Sequence, residues 1–227
     1  MTPLINGTTA CKWDTIIPFE PLWEQYKRII KDNGAIVLFG SEPFSSFLRM
    51  SNIKNYKYDW VWHKSIPTGM MSAKYMPMKN HEIVSIFGYN KLKFNPIKED
   101  RSKNTHKTGQ GKIYTNSSEH NKGFSVIRKE PTELRNPTTV RYFPNVARHN
   151  SLHPTQKPVA LFEYLIKTYT DEGDLVLDNC AGSFTTAIAS ENLKRNWICI
   201  EKEAKYCEIG KKRIEENRIR INNILLK

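Results

Sequence analysis

The stretch Leu175–Thr186, LVLDNCAGSFTT, passes from an apolar strand (Leu175, Val176, Leu177) through Asp178 and a small-residue turn into a helix beginning near Thr185. Strand, tight turn and helix in that order are how doubly wound α/β folds hold an adenosine-containing cofactor at the carboxyl edge of the sheet. Gly182 lets the backbone approach a ligand, and Thr185 and Thr186 are suited to capping the helix. Asn196–Glu201 (NWICIE) reads as the next strand, and Glu201 ends it 19 residues after Gly182. An acidic side chain there is placed to accept both ribose hydroxyls of a nucleoside. Phe184 is the discordant letter, standing where such a loop wants a second glycine. Phe takes φ > 0 only under strain, and its ring either fills the cofactor pocket or turns into the core.

Upstream of this loop lies His153-Pro154-Thr155-Gln156-Lys157-Pro158 (HPTQKP), followed directly by an apolar-striped segment, Pro158–Thr170. Pro158 suits the first position of that helix. The polar residues before it bring a hydroxyl, an amide and an ammonium toward the carboxyl end of the Leu175 strand. His153 has no second ligand at useful spacing, so no metal is expected.

The remaining chain divides by composition into three regions, 1–89, 90–150 and 151–227. In the first, Pro18–Lys31 carries Phe19, Leu22, Trp23, Tyr26, Ile29 and Ile30 at helical spacing. Asp32-Asn33-Gly34 stops that helix, and Ala35–Gly40 is a continuous apolar run of the kind buried in a parallel sheet. Pro43–Asn52 reads as a further helix, and Tyr56–His63 and Glu82–Tyr89 read as strands. The third region ends in a long basic helix, Ala204–Asn222. Helix alternating with buried strand predicts an α/β fold, doubly wound on a mostly parallel sheet.

Lys and Arg number 35 against 23 Asp and Glu, a formal net charge of +12. Residues 90–150 hold thirteen of the cations and five of the anions, so this region carries a surplus of eight. Phe94, Tyr114, Phe124, Tyr142 and Phe143 are interleaved with them. A basic insert with scattered aromatics suits phosphate contacts and stacking on bases, the alternative being a solvated surface loop. Lys91, Lys93, Arg101, Lys103, Lys107, Lys112, Arg128, Lys129 and Arg141 are the candidate DNA-contacting cations. The four cysteines (Cys11, Cys180, Cys199, Cys207) show no metal-type spacing and read as free thiols of a reducing cytoplasm. No apolar run approaches membrane-spanning length, which predicts a cytoplasmic protein that does not engage a membrane.

The order HPTQKP, helix, strand, D-x-x-AGS-x-TT, helix, strand, E resembles the DNA amino-methyltransferases that modify adenine N6 or cytosine N4. It is similar in particular to their permuted branch, in which the catalytic half precedes the cofactor half. The resemblance implies S-adenosylmethionine as cofactor and double-stranded DNA as partner. It assigns the cofactor's methionine and ribose to Asp178, Ala181, Gly182 and Ser183, with Phe184 and Thr185 alongside. It gives the ribose hydroxyls to Glu201, and closure of the pocket to Thr155, Gln156, Lys157 and Pro158. The family holds the target amine with an Asp/Asn/Ser-Pro-Pro-Tyr/Phe motif on a flipped base. The matching slot here is Pro3-Leu4-Ile5-Asn6, which lacks the opening polar residue, the second proline and the closing aromatic. The strand leading into it is expected to be missing, since only Met1 and Thr2 precede Pro3. Two expectations compete: an active enzyme, and a non-catalytic relative acting on DNA or on a protein partner. An unrelated RNA-binding module leaves HPTQKP and Glu201 unexplained. A truncated sheet edge in the first region favours a homodimer or pairing with another subunit.

Overall fold

The computed structural model describes residues 17–100, 134–147, 149 and 151–225. The chain forms two compact units, one of residues 1–95 with 139–227 and one of residues 96–138. In the smaller unit the described residues form one antiparallel pair, β4 (Glu99–Asp100) against β5 (Leu134–Arg135), with Arg135 on Glu99 at 3.0 Å. Residues 90–95 and 139–147, assigned by composition to the basic insert, belong to the larger unit.

The larger unit begins with helix α1 (Phe19–Ile29), which buries Leu22, Trp23 and Tyr26 at three- and four-residue spacing. Glu20 in its first turn and Lys27 and Arg28 in its last complement the helix dipole. Strand β1 (Ile36–Gly40) follows, then helix α2 (Phe44–Ser51), strand β2 (Tyr56–Thr68) and strand β3 (Lys79–Phe87). Strand β6 (Val140–Tyr142) completes a four-stranded sheet in the order β1-β3-β2-β6. β3 lies antiparallel to both its neighbours, whereas β6 runs parallel to β2. The apolar run at Ile36–Gly40, read as a parallel strand, is therefore paired antiparallel. What its continuous apolarity reports is burial on both faces. Ile36 and Leu38 enter a cluster with Leu22, Trp23, Tyr26, Phe44 and Leu48, while Val37 and Phe39 enter another with Trp60, Val84 and Ile86.

Residues 151–225 supply helix α3 (Val159–Tyr169), strand β7 (Leu175–Asp178), helix α4 (Thr185–Asn192), strand β8 (Asn196–Cys199) and helix α5 (Ala204–Leu225). β7 and β8 pair in parallel. Helix α3 contributes Leu161, Phe162, Leu165, Ile166 and Tyr169 to the larger cluster, where Trp60 donates its indole N–H to the Tyr169 hydroxyl at 2.6 Å. Helix α4 is buried on every side from Thr185 to Ser190, which explains its small residues and its lack of a polar stripe. Among the described residues, β1 and β7 each end their sheet. A cavity of about 480 Å³ is lined by both strands, with Tyr26 and Ile30 of α1 and Leu165 and Tyr169 of α3 as further walls.

Candidate cofactor site

The loop between β7 and α4 is fixed by its own hydrogen bonds before any ligand is considered. Asp178, 2% exposed, accepts the Thr186 hydroxyl on one carboxylate oxygen and the Cys180 backbone N–H on the other at 3.1 Å. Thr186 thus anchors the strand's carboxylate rather than capping the helix. Ile200 N–H donates to the Asp178 carbonyl at 2.8 Å and Ala181 N–H to the Ile200 carbonyl at 2.9 Å, so the loop is stitched to the end of β8. Arg213 on α5 donates to the Ser183 carbonyl and lies near the Thr185 hydroxyl.

Two residues of this turn are left-handed, Gly182 at φ 52° and Phe184 at φ 60°. Phe184 is the N-terminal boundary residue of α4, and its ring is 8% exposed in a cluster with Ala181, Ala187, Ile188 and Ile214. The ring leans on helix α5 at Gly210, where a Cβ would stand 2.1 Å from the Phe184 Cδ2. Phe184, expected beside the cofactor, is a core residue whose ring turns toward α5 rather than into the pocket. The cost of a left-handed Phe, on the order of 1 kcal/mol, is offset by burial of a ring worth about 2–3 kcal/mol. Gly210 is what makes that burial possible, and no local sequence signal links position 210 to position 184.

The pocket beside this loop has a volume of about 40 Å³. Its lining includes Thr155, Gln156, Lys157, Asp178, Ala181, Gly182, Ser183 and Thr185, eight of the residues expected at the cofactor. His153 and Phe162 line it as well. The His153 ring lies 3.5 Å from where a Gly182 Cβ would be and packs edge-on to Tyr206 at 4.3 Å. Burial pushes the imidazole's pKa below its ordinary value, with Glu201 opposing and Lys157 adding to the shift. Its Nδ1 accepts the Thr155 N–H at 3.2 Å, as a neutral ring does. Pro158 does not line the pocket and caps α3 instead. Glu201 is held at the loop itself: one oxygen accepts the Gly182 N–H at 2.7 Å, the other the Glu203 N–H at 2.9 Å.

Lys157 reaches across to the other half of the unit. Its ammonium is 3.6 Å from Glu82 on β3 and lies 4.9 Å over the Phe39 ring, which itself stacks on Phe162. Lys64 holds the second oxygen of Glu82 at 2.7 Å, and both lysine side chains are nearly buried. Burial pushes the Glu82 carboxyl up, but the two ammonium groups outweigh it and hold it below its ordinary range. Sequence reasoning passed over Glu82, Tyr206, Gly210 and Arg213, because each acts through contacts remote along the chain.

The candidate DNA cations separate in the structure. Lys91 is exposed. Lys93 is instead an internal tie, bonded to Asp171 at 2.8 Å and Asp174 at 2.9 Å, and Arg141 stacks over Tyr164 at 5.1 Å. Arg101, Lys103, Lys107, Lys112, Arg128 and Lys129 lie outside the described residues, as does the Pro3–Asn6 slot. Among the described residues no cluster of His, Cys, Asp and Glu could hold a metal ion. Cys180, Cys199 and Cys207 are free thiols, and burial pushes the Cys199 thiol up to about 12. No helix of the described residues is long and apolar enough to cross a membrane.

A glycine loop at the end of one strand, an acidic residue just past the next and a polar segment beside them form the kind of site at which α/β folds hold an adenosine-containing ligand. The family described as DNA methylase, the N6 and N4 methyltransferases, matches residues 11–212, and the chain belongs to it. It is 26% identical to the type II methyltransferase M2.MboI of Moraxella bovis, over 94% of this chain and 73% of that protein. It is 27% identical to M2.DpnII of Streptococcus pneumoniae, over 89% of this chain and 71% of that one. Among solved structures it resembles the M1.HpyAVI–SAM complex, with a TM-score of 0.56 and 26% identity over 86% of this chain and 80% of that one.

Two outcomes test this geometry. Gly210→Ala should lower stability by about 1–3 kcal/mol in urea unfolding, through overpacking against Phe184. Phe184→Ala should cost about 3–5 kcal/mol, and the double variant should be less destabilised than the two losses added, a coupling that distant sites do not show. Glu82, whose folded pKa is depressed, contributes stability that is present above its unfolded pKa and fades as pH falls through the folded one. Glu82→Gln should therefore flatten the loss of stability seen on acidification below about pH 4.5 in thermal melts.

Proposed function

We propose that this chain binds S-adenosylmethionine and double-stranded DNA and that its methyl transfer to adenine N6 or cytosine N4 is impaired or absent. The observation that carries the cofactor part is the burial of Phe184 against Gly210, which leaves the loop beside Asp178 open to a ligand. The residues present suit the cofactor's chemistry. Gly182 offers a left-handed backbone with the His153 ring as its nearest neighbour above, and Asp178, Thr155 and Lys157 supply acceptor, hydroxyl and ammonium groups around one pocket. Glu201 stands at the pocket edge with both oxygens on backbone N–H groups, each retaining capacity for a further hydroxyl. When bound, the cofactor supplies the electrophilic methyl group. The enclosed volume of about 40 Å³ is smaller than the several hundred Å³ of ordinary ligand sites, so the cofactor must extend through the open mouth.

Impaired transfer rests on Pro3-Leu4-Ile5-Asn6, which has neither the polar residue that orients the amine nor the aromatic that stacks on the base. Misplacing reacting groups by about 1 Å already costs roughly 100-fold in rate, and here the orienting groups are missing altogether. DNA binding is supported by the family, by the net charge of +12 and by the basic insert. A subunit that occupies DNA or pairs with another chain in the cytoplasm is the role this leaves.

Calorimetry with S-adenosylmethionine should show binding by the native chain, and by Phe184→Gly with affinity within a few-fold. Binding by the glycine variant alone would mean that the native ring blocks the pocket. With tritiated cofactor and adenine- and cytosine-containing duplexes, turnover should fall at least 100-fold below that of an intact relative; comparable turnover would overturn the reading of Pro3–Asn6. DNA affinity should fall steeply with salt. Lys91→Gln should reduce the magnitude of the log–log slope by about 1, as expected for a phosphate contact. Lys93→Gln should leave that slope unchanged.

A further inference from the structure

Ile66, Met70, Met71, Tyr75 and Met76 all stand exposed on the hairpin that joins β2 to β3, Met71 at 98% and Tyr75 at 87%. The backbone beneath them is ordered by its own bonds. Gly69 turns the chain at φ 93° and leads into a short 3₁₀ turn, Met70–Ser72. The Gly69 carbonyl accepts the Ser72 N–H at 3.0 Å, and the Ser72 carbonyl accepts the N–H groups of Tyr75 and Met76 at 2.9 and 3.1 Å. A structured turn that holds a group of apolar side chains in water marks a surface with a partner. The root of the hairpin lies against the segment that lines the cofactor pocket, because Lys64 and Lys157 share the Glu82 carboxylate. Strand β3 begins at Lys79, three residues before Glu82, a rise of about 10 Å. The tip therefore projects past the end of the sheet at which Lys157 sits.

We propose that this tip is a DNA wedge, with Met71 and Tyr75 entering between stacked base steps of a duplex while Lys74 and Lys79 face its phosphates. The assignment rests on the DNA binding put forward above. Its charge suits a polyanion: from Ser65 to His81 the chain has no Asp or Glu, and it carries Lys74, Lys79 and His81. Glu42, whose carbonyl accepts the Lys79 ammonium at 3.5 Å, has its carboxylate taken by Arg49 at 2.6 Å. The apolar residue types suit the stack. Methionine is unbranched and polarisable and adapts to an irregular gap, and it is among the side chains that pry base steps apart. Tyrosine offers a flat face to any base. A second copy of the chain is a poorer occupant, since a two-fold contact would set Lys74 and Lys79 against their own copies. A lipid surface would satisfy the same charge and apolarity. The duplex is favoured over it by the hairpin's root, which places the tip where DNA offering a base to the pocket would have to pass.

Fluorescence anisotropy with a labelled duplex, on the full chain, tests this together with the emission of duplexes carrying 2-aminopurine, which brightens when its neighbours unstack. Met71→Ala with Tyr75→Ala should weaken duplex affinity about 10-fold and abolish the brightening seen with the native chain, leaving the log–log salt slope unchanged. Tyr75→Phe should retain both affinity and brightening, since it keeps the ring. Lys74→Gln should instead reduce the magnitude of the salt slope by about 1 and leave the brightening in place at saturation. These side chains are exposed, so the variants should melt within a few degrees of the native chain. If the native chain binds no duplex, the DNA-binding reading and the wedge both fall. If it binds, and the double variant binds and brightens equally well, the wedge alone falls. A concentration-dependent dimer in sedimentation that the double variant loses would overturn the wedge in favour of a second copy. Binding to phosphatidylserine vesicles that the double variant loses, with duplex affinity unchanged, would overturn it in favour of a lipid surface.

Discussion

Phe184 seated on Gly210 sets the shape of the cofactor loop. A left-handed residue at the start of α4 is tolerable for Phe only if its ring is held, and the ring is held because α5 presents no side chain at that point. With the ring turned toward α5, Ala181, Gly182 and Ser183 face the pocket, and the Thr186 hydroxyl can close on Asp178. Arg213 on the same helix then fixes the Ser183 carbonyl. Loop and helix α5 thus form one unit, and a change at the 210 position reaches the pocket through Phe184.

A second constraint joins the loop's surroundings to the other half of the unit. Lys157 sits in the HPTQKP segment that lines the pocket, yet its charge is balanced by Glu82 on β3 together with Lys64 on β2. Removing one partner from so buried a group leaves an uncompensated charge, which is far costlier than replacing the whole cluster by apolar residues. The ion pairs therefore fix where Lys157 stands more than they add to stability. They are a physical reason for the segment to keep its position beside Gly182 when the pocket changes its contents.

Much of this was legible in the chain because it is written locally. The apolar stripe of α1 and the strand–turn–helix at Leu175–Thr186 follow from spacing, and the two short motifs held eight residues that the structure brings together around one pocket. What was not legible depends on partners remote in sequence. The antiparallel insertion of β3 between β1 and β2 leaves no mark on Ile36–Gly40, since burial on both faces looks the same in either ladder. The direction of the Phe184 ring is decided 26 residues later, at a glycine in the middle of a charged helix that offers no reason to be singled out. Lys93 likewise reads as one cation among many until Asp171 and Asp174 are folded against it.

These contacts separate two capacities that a family resemblance joins. The loop beside Asp178 is held by internal contacts, the Thr186 hydroxyl on Asp178 and the Phe184 ring among Ala181, Ala187, Ile188 and Ile214, which join it to the core independently of any bound ligand. Under the function proposed above, base recognition depends on groups outside that loop. The pocket loop and the hydrophobic structure around Phe184 share residues, Ala181 among them. Selection for stability alone would then preserve Gly182, Asp178 and Gly210, while only selection for turnover would preserve an aromatic at the Pro3–Asn6 slot.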